Sequence, residues 1–112
     1  MYVNLNHITF IESVAPSSRV AELICTVTNT AAAMLDIYQT QARFSGNVTN
    51  YGTVKVTGPS TVTFLGTYTE YGAYISDPSK TYFTNLTIES PGYLKGSFGD
   101  EFYISGNFIN NS

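Results

Sequence analysis

Apolar and polar residues alternate in short runs along most of the chain. The runs TVKV at residues 53–56 and TVTF at residues 61–64 make every second side chain apolar, the period of a strand with one buried face. Turn signals punctuate them, as at Gly58-Pro59-Ser60, Asp77-Pro78-Ser79 and Gly99-Asp100. The runs also recur. Lines begun at residues 25, 46, 66, 86 and 106 open with CTVTNTA, GNVTNYG, GTYTEYG, LTIESPG and GNFINNS, and the last four starts lie 20 residues apart. Val27, Val48, Tyr68, Ile88 and Phe108 then share one position, and Asn29, Asn50, Ser90 and Asn110 share another, with Glu70 as the exception. Ala31, Gly52, Gly72, Gly92 and Ser112 share a third. Further along the lines, Val54, Tyr74 and Leu94 align, as do Ala42, Val62, Tyr82 and Phe102, and then Phe44, Phe64, Thr84 and Ile104. The first line holds one extra residue between Ala31 and Leu35.

An antiparallel sandwich would also show short strands between turns, but it gives no reason for like residues to return every 20 positions. A solenoid does, because each line is one coil and aligned residues stack about 4.8 Å apart. The expected fold is therefore an all-β parallel β-helix with about 20 residues per coil and three short strands in each. Residues 25–112 form its repeats, with the last coil incomplete, and residues 1–24 form an N-terminal cap or irregular first coil. Within that segment MYVNLNHITF alternates as a strand does, SVAPSSR reads as a loop, and RVAELI reads as a strand or a short helix. TAAAMLDIYQTQA has helical propensity but falls in the expanded part of the first full coil. Asn29, Asn50 and Asn110 are expected to stack as a turn ladder, amide to amide, and Gly52, Gly72 and Gly92 to supply positive φ where the coil bends.

Composition narrows the function. Only 12% of the 112 residues are charged, so Thr, Ser, Asn and Tyr must cover the surface. Net charge is −3, and the five Lys and Arg are scattered singly, which leaves no basic stripe for nucleic acid. The lone Cys25 permits neither an intrachain disulfide nor a multi-Cys zinc site, and it reads as a buried, inert thiol. No apolar run approaches the length of a membrane helix, so no membrane insertion is expected, and the first residues do not read as a signal peptide.

The phrases DPS at Asp77, FTNLTI at Phe83, GD at Gly99 and ISGNFINNS at Ile104 give residues 42–112 a family likeness. That stretch resembles the repeat regions of large exported bacterial β-helix surface proteins, of the autotransporter-passenger and PEP-CTERM kinds. The resemblance implies an extracellular or cell-surface location as part of a larger protein. A solenoid of that family normally continues beyond the point where this chain stops, so the chain is expected to be a fragment whose open end self-associates.

Few residues offer chemistry. His7 is the only histidine and reads as a structural one, and no cofactor or metal is expected. Asp77, Asp100 and Glu101 form the best available acidic cluster, near one corner, and turn punctuation accounts for them. Glu70 and Glu89 are expected to face opposite ways, which denies them the shared cleft that glycoside hydrolysis needs. No catalytic residue is assigned. Outward aromatics remain: Tyr51 with Tyr71, and Phe83 with Tyr103, each pair stacked on adjacent coils where it could contact a glycan or a protein. The expected function is a non-enzymatic structural or adhesive segment, and the alternative is a carbohydrate-binding or polysaccharide-active module.

Overall fold

The computed structural model describes residues 2–11 and 20–112, with side chains from Val20 onward. The loop expected at residues 13–19 and the side chain of His7 lie outside the described residues. Alternating apolar positions produce strands β1 (Tyr2–Ile11), β2 (Ala21–Leu23), β3 (Thr26–Tyr38), β4 (Gln41–Phe44), β5 (Val48–Asn50) and β6 (Thr53–Thr57). They continue as β7 (Thr61–Glu70), β8 (Ala73–Asp77), β9 (Lys80–Glu89), β10 (Tyr93–Lys95), β11 (Glu101–Ile104) and β12 (Phe108–Asn111). Every pairing among them is parallel. The chain is a parallel β-helix.

Each coil visits three faces in turn. The first face holds the openings of β1 and β3, then β5 and the closing halves of β7 and β9, and then β12. The second holds the end of β3 with β6, β8 and β10, and the third holds β2, β4, the opening halves of β7 and β9, and β11. The helix-prone stretch around Ala31–Ala33 lies within β3, because burying Leu35 and Ile37 in the stack outweighs its local propensity. RVAELI contributes the strand β2.

Inward side chains stack on their own kind. Leu35, Val54, Tyr74 and Leu94 form one column, and Phe44, Phe64, Phe83 and Ile104 form another. The Phe44 and Phe64 rings lie 5.0 Å apart at 20°, and those of Phe64 and Phe83 lie 5.3 Å apart at 10°. Tyr68 and Tyr74 meet edge to face beside them, so one aromatic cluster fills the middle of the barrel. Cys25 is buried within the same core.

The fourth coil departs from the expected register. Val62 stands over Thr81, not Tyr82, and Phe64 over Phe83, not Thr84. A bulge after Phe64 then shifts the frame again, so Tyr68 meets Leu86 and Glu70 meets Ile88, not Ser90. The loop through the cis Ser90–Pro91 peptide restores the 20-residue spacing by Tyr93, which pairs with Ala73. Phe83 is consequently inside, at 1% exposure, and Tyr82 is the outward ring. In the first coil the corner after Asn29 holds two residues more than its counterpart, since Asn29 pairs with Asn50 while Met34 pairs with Thr53.

Positive φ among the described glycines falls at Gly58 and Gly99, not at Gly52, Gly72 and Gly92. Those three are glycines for lack of room: a Cβ on each would come 2.3, 2.1 and 2.3 Å from a carbonyl oxygen of another turn of backbone. Gly72→Ala should therefore lower the urea-unfolding free energy by about 2 kcal/mol or more. Gly96→Ala, whose new Cβ nears only side chains at 3.0 Å and beyond, should change it far less. Equal costs would show that the coils are not this tightly stacked.

Candidate functional site

Two internal ladders and two outward tyrosine stacks hold most of the chemically capable side chains. The first ladder runs where the first face turns toward the second. Asn29 Nδ2 donates to Asn50 Oδ1 at 2.9 Å, and Asn50 Nδ2 donates to Glu70 Oε2 at 2.6 Å. Each amide also donates to backbone carbonyls on both sides, Ala33 and Thr53 for Asn29, Gly52 and Ala73 for Asn50. The Gly52 N–H donates to Asn50 Oδ1, and the Gly72 N–H repeats that bond on Glu70 Oε2 at 2.9 Å. Glu70 thus stands where an Asn would, and it ends the ladder. Its carboxyl accepts from Asn50 and Gly72, and the next residue in the column is Ile88, which could accept nothing. Asn110 shares the column beyond Ile88 but is exposed and accepts from Ser112 instead. At the other end Asn29 Oδ1 is buried with no partner among the described residues, at a corner two residues longer than the one that brings the Gly52 N–H to Asn50.

Glu70 is fully buried and also accepts from the Tyr68 hydroxyl at 2.9 Å. Burial drives its carboxyl up from 4.5 to about 7, against the pull of the donors from Tyr68, Gly72 and Asn50. Burial, with the Glu70 charge nearby, pushes the Tyr68 phenol well above its usual value.

The second ladder runs between the second and third faces. The Thr40 N–H donates to Ser60 Oγ at 3.2 Å, the Ser60 N–H to Ser79 Oγ at 3.0 Å, and the Ser79 N–H to Asp100 Oδ1 at 2.8 Å. It too ends on an acid. Asp100 also accepts from the Ser76 hydroxyl and from the N–H and hydroxyl of Ser97. Partial burial raises the Asp100 pKa, but the bonds from Ser76, Ser97 and Ser79 outweigh it and hold the carboxyl below its ordinary range. Beside this ladder lies an open groove of about 410 Å³, lined in part by Gln41, Pro59, Thr61, Pro78, Lys80 and Gly99.

The three acids expected to share a corner divide into two groups. Asp77 and Asp100 both meet the Ser97 hydroxyl, at 2.6 and 2.9 Å. Glu101 turns to the Tyr103 hydroxyl at 2.6 Å and to Lys80 at 3.5 Å. Glu89 accepts from Asn111 on the first face, away from the interior position of Glu70. Among the described residues, no three of His, Cys, Asp and Glu come together in a way that could hold a metal ion.

Tyr51 and Tyr71 stack outside the first corner, with ring centres 4.8 Å apart at 13°. On the third face the matching stack is Tyr82 on Tyr103, also 4.8 Å apart, at 10°. Phe83, expected there, is displaced inward by the register slip. Counting back by twos from Leu86 and Ile88 puts Thr84 and Tyr82 inside, so the alternation of KTYFTNLTI favours the wrong ring; the buried positions change phase between Phe83 and Leu86, at the bulge. The Pro-Ser pairs at residues 59–60 and 78–79 did mark the second ladder.

No family model, curated relative or solved structure matches this chain. Of the expected likeness the structure supports the parallel β-solenoid fold, and no matched relative ties the chain to exported bacterial proteins. No helix among the described residues is long and apolar enough to cross a membrane.

The Glu70 network makes stability pH-dependent. Because the folded value of about 7 exceeds the ordinary 4.5, the folded chain holds this proton more tightly than the unfolded one. Stability contributed by Glu70 is complete below pH 4.5 and is lost as pH rises to about 7, a loss of about 3 kcal/mol. Urea midpoints measured across that window should fall with rising pH in the wild type and stay nearly level in Glu70→Gln. A parallel decline in both would assign the pH dependence to other groups.

Proposed function

We propose that this chain is a structural and adhesive β-solenoid segment, without enzymatic activity, of a bacterial exported or cell-surface protein. The carrying observation is how its buried polar groups are used. Asn29, Asn50 and Glu70, and then Ser60, Ser79 and Asp100, are committed to bonding one coil to the next. An acid–base pair needs carboxyls with exchangeable protons facing one cleft. Here Glu70 is enclosed, Asp100 accepts four hydrogen bonds, and Glu101 is engaged by Tyr103 and Lys80. The low charge and Thr- and Asn-rich surface support an exported origin.

A glycan-binding reading draws on the Tyr82–Tyr103 and Tyr51–Tyr71 stacks, whose coplanar rings offer platforms for sugar faces. One set of incubations separates the readings. The purified chain should release neither reducing ends nor unsaturated products from pectate, xylan or β-glucan; release that disappears in Asp100→Asn or Glu101→Gln would overturn the non-enzymatic reading. If glycans are the adhesive target, Tyr82→Ala with Tyr103→Ala should weaken retention on the insoluble polysaccharides roughly tenfold.

A further inference from the structure

The first face carries an array that neither the core nor the ladders require. Its outward column Thr28, Thr49, Thr69 and Thr87 pairs in register from coil to coil. Two residues earlier on each strand stands a second outward column, Thr26, Asn47, Thr67 and Asn85. Asn47 Oδ1 accepts the Thr67 N–H at 2.9 Å and Asn85 Oδ1 accepts the Asn107 N–H at 3.0 Å, so this column is fixed to the backbone of the next coil. The strand geometry makes the two columns a grid of about 4.8 Å between coils and roughly 6.7 Å along each strand.

These columns carry no charge. The outward columns of the third face hold Glu22, Arg43, Lys80 and Glu101, and those of the second hold Asp36, Lys55 and Lys95. We infer that the Thr/Asn columns of the first face bind crystalline water. A small solute is captured in a concavity, and a charged lattice or polymer needs opposing charge, whereas these two columns are an open, neutral strip, with Glu89 two residues beyond Thr87 on the neighbouring column. Each Thr presents a hydroxyl for a lattice oxygen and a methyl that can sit between lattice waters. Its β-branched side chain holds few χ1 rotamers, so the grid is ordered before contact. A neutral crystalline polysaccharide is the competing solid. It favours aromatic platforms, and within these four coils the two columns contain none; Tyr51 and Tyr71 lie on the neighbouring column at the margin.

The inference rests on the solenoid fold and not on any cellular location. Its test is partition of the folded chain into slowly growing ice, together with inhibition of ice recrystallisation. Wild type should enter the ice, and Thr49→Lys with Thr69→Lys should be left in the liquid, while Thr63→Lys on the third face should enter as wild type does. If the double Lys variant loses its β-sheet circular dichroism, Thr49→Ala with Thr69→Ala replaces it, with the same loss expected. Exclusion of the folded wild type from ice overturns the inference, as does ice entry by a folded double variant. Retention on crystalline cellulose or chitin without ice entry overturns it in favour of a glycan.

Discussion

A buried amide of one coil bonded to the same position of the next is the constraint on which this architecture depends. A one-residue slip would turn the apolar side chains of a strand outward, but a two-residue slip costs generic apolar packing little, because Val on Val and Val on Leu are nearly equivalent. An Asn amide is less forgiving. Asn50 receives the Asn29 donor and the Gly52 N–H on its oxygen, and its nitrogen serves Glu70 and two carbonyls. Any slip would leave several buried polar groups unpaired, each costing about 1–3 kcal/mol. The glycines at Gly52 and Gly72 follow from this, since they let the backbone approach closely enough for the amide and carboxylate to be reached.

The acids acquire their roles from the same geometry. A ladder of donors and acceptors must end somewhere, and a carboxyl with two oxygens can accept several donors at that end. Glu70 closes one ladder above Ile88, and Asp100 closes the other at the corner. Their opposite pKa shifts express their surroundings: enclosure dominates at Glu70, and hydrogen bonds dominate at partly exposed Asp100.

Much of the fold was legible because like residues stack. The columns through Val54, Tyr74 and Leu94 and through Val27, Val48 and Tyr68 read directly from the sequence. The fourth coil did not, because a shorter corner and a bulge remove two residues and the Ser90–Pro91 loop returns them. Spacing measured between the glycines stays at 20 while the strand between them slides, so Tyr82 and Phe83 exchange faces. Glu70 looked like an exception to a column of Asn and proved to be its terminus, a distinction that depends on Ile88 being the next residue in space. The outward Thr columns were hidden for a different reason: exposed Thr in a strand is ordinary, and only parallel register converts four of them into an array.

Asn50 holds neighbouring coils in register, and equilibrium urea unfolding of Asn50→Ala beside Thr49→Ala measures how firmly. Asn50→Ala should cost about 3–5 kcal/mol, since it strands the Glu70 carboxyl, the Gly52 N–H and the Asn29 donor, while the adjacent outward Thr49→Ala should cost about 1 kcal/mol or less. Near-equal costs for the two would show that the buried amide does not set the register of the coils.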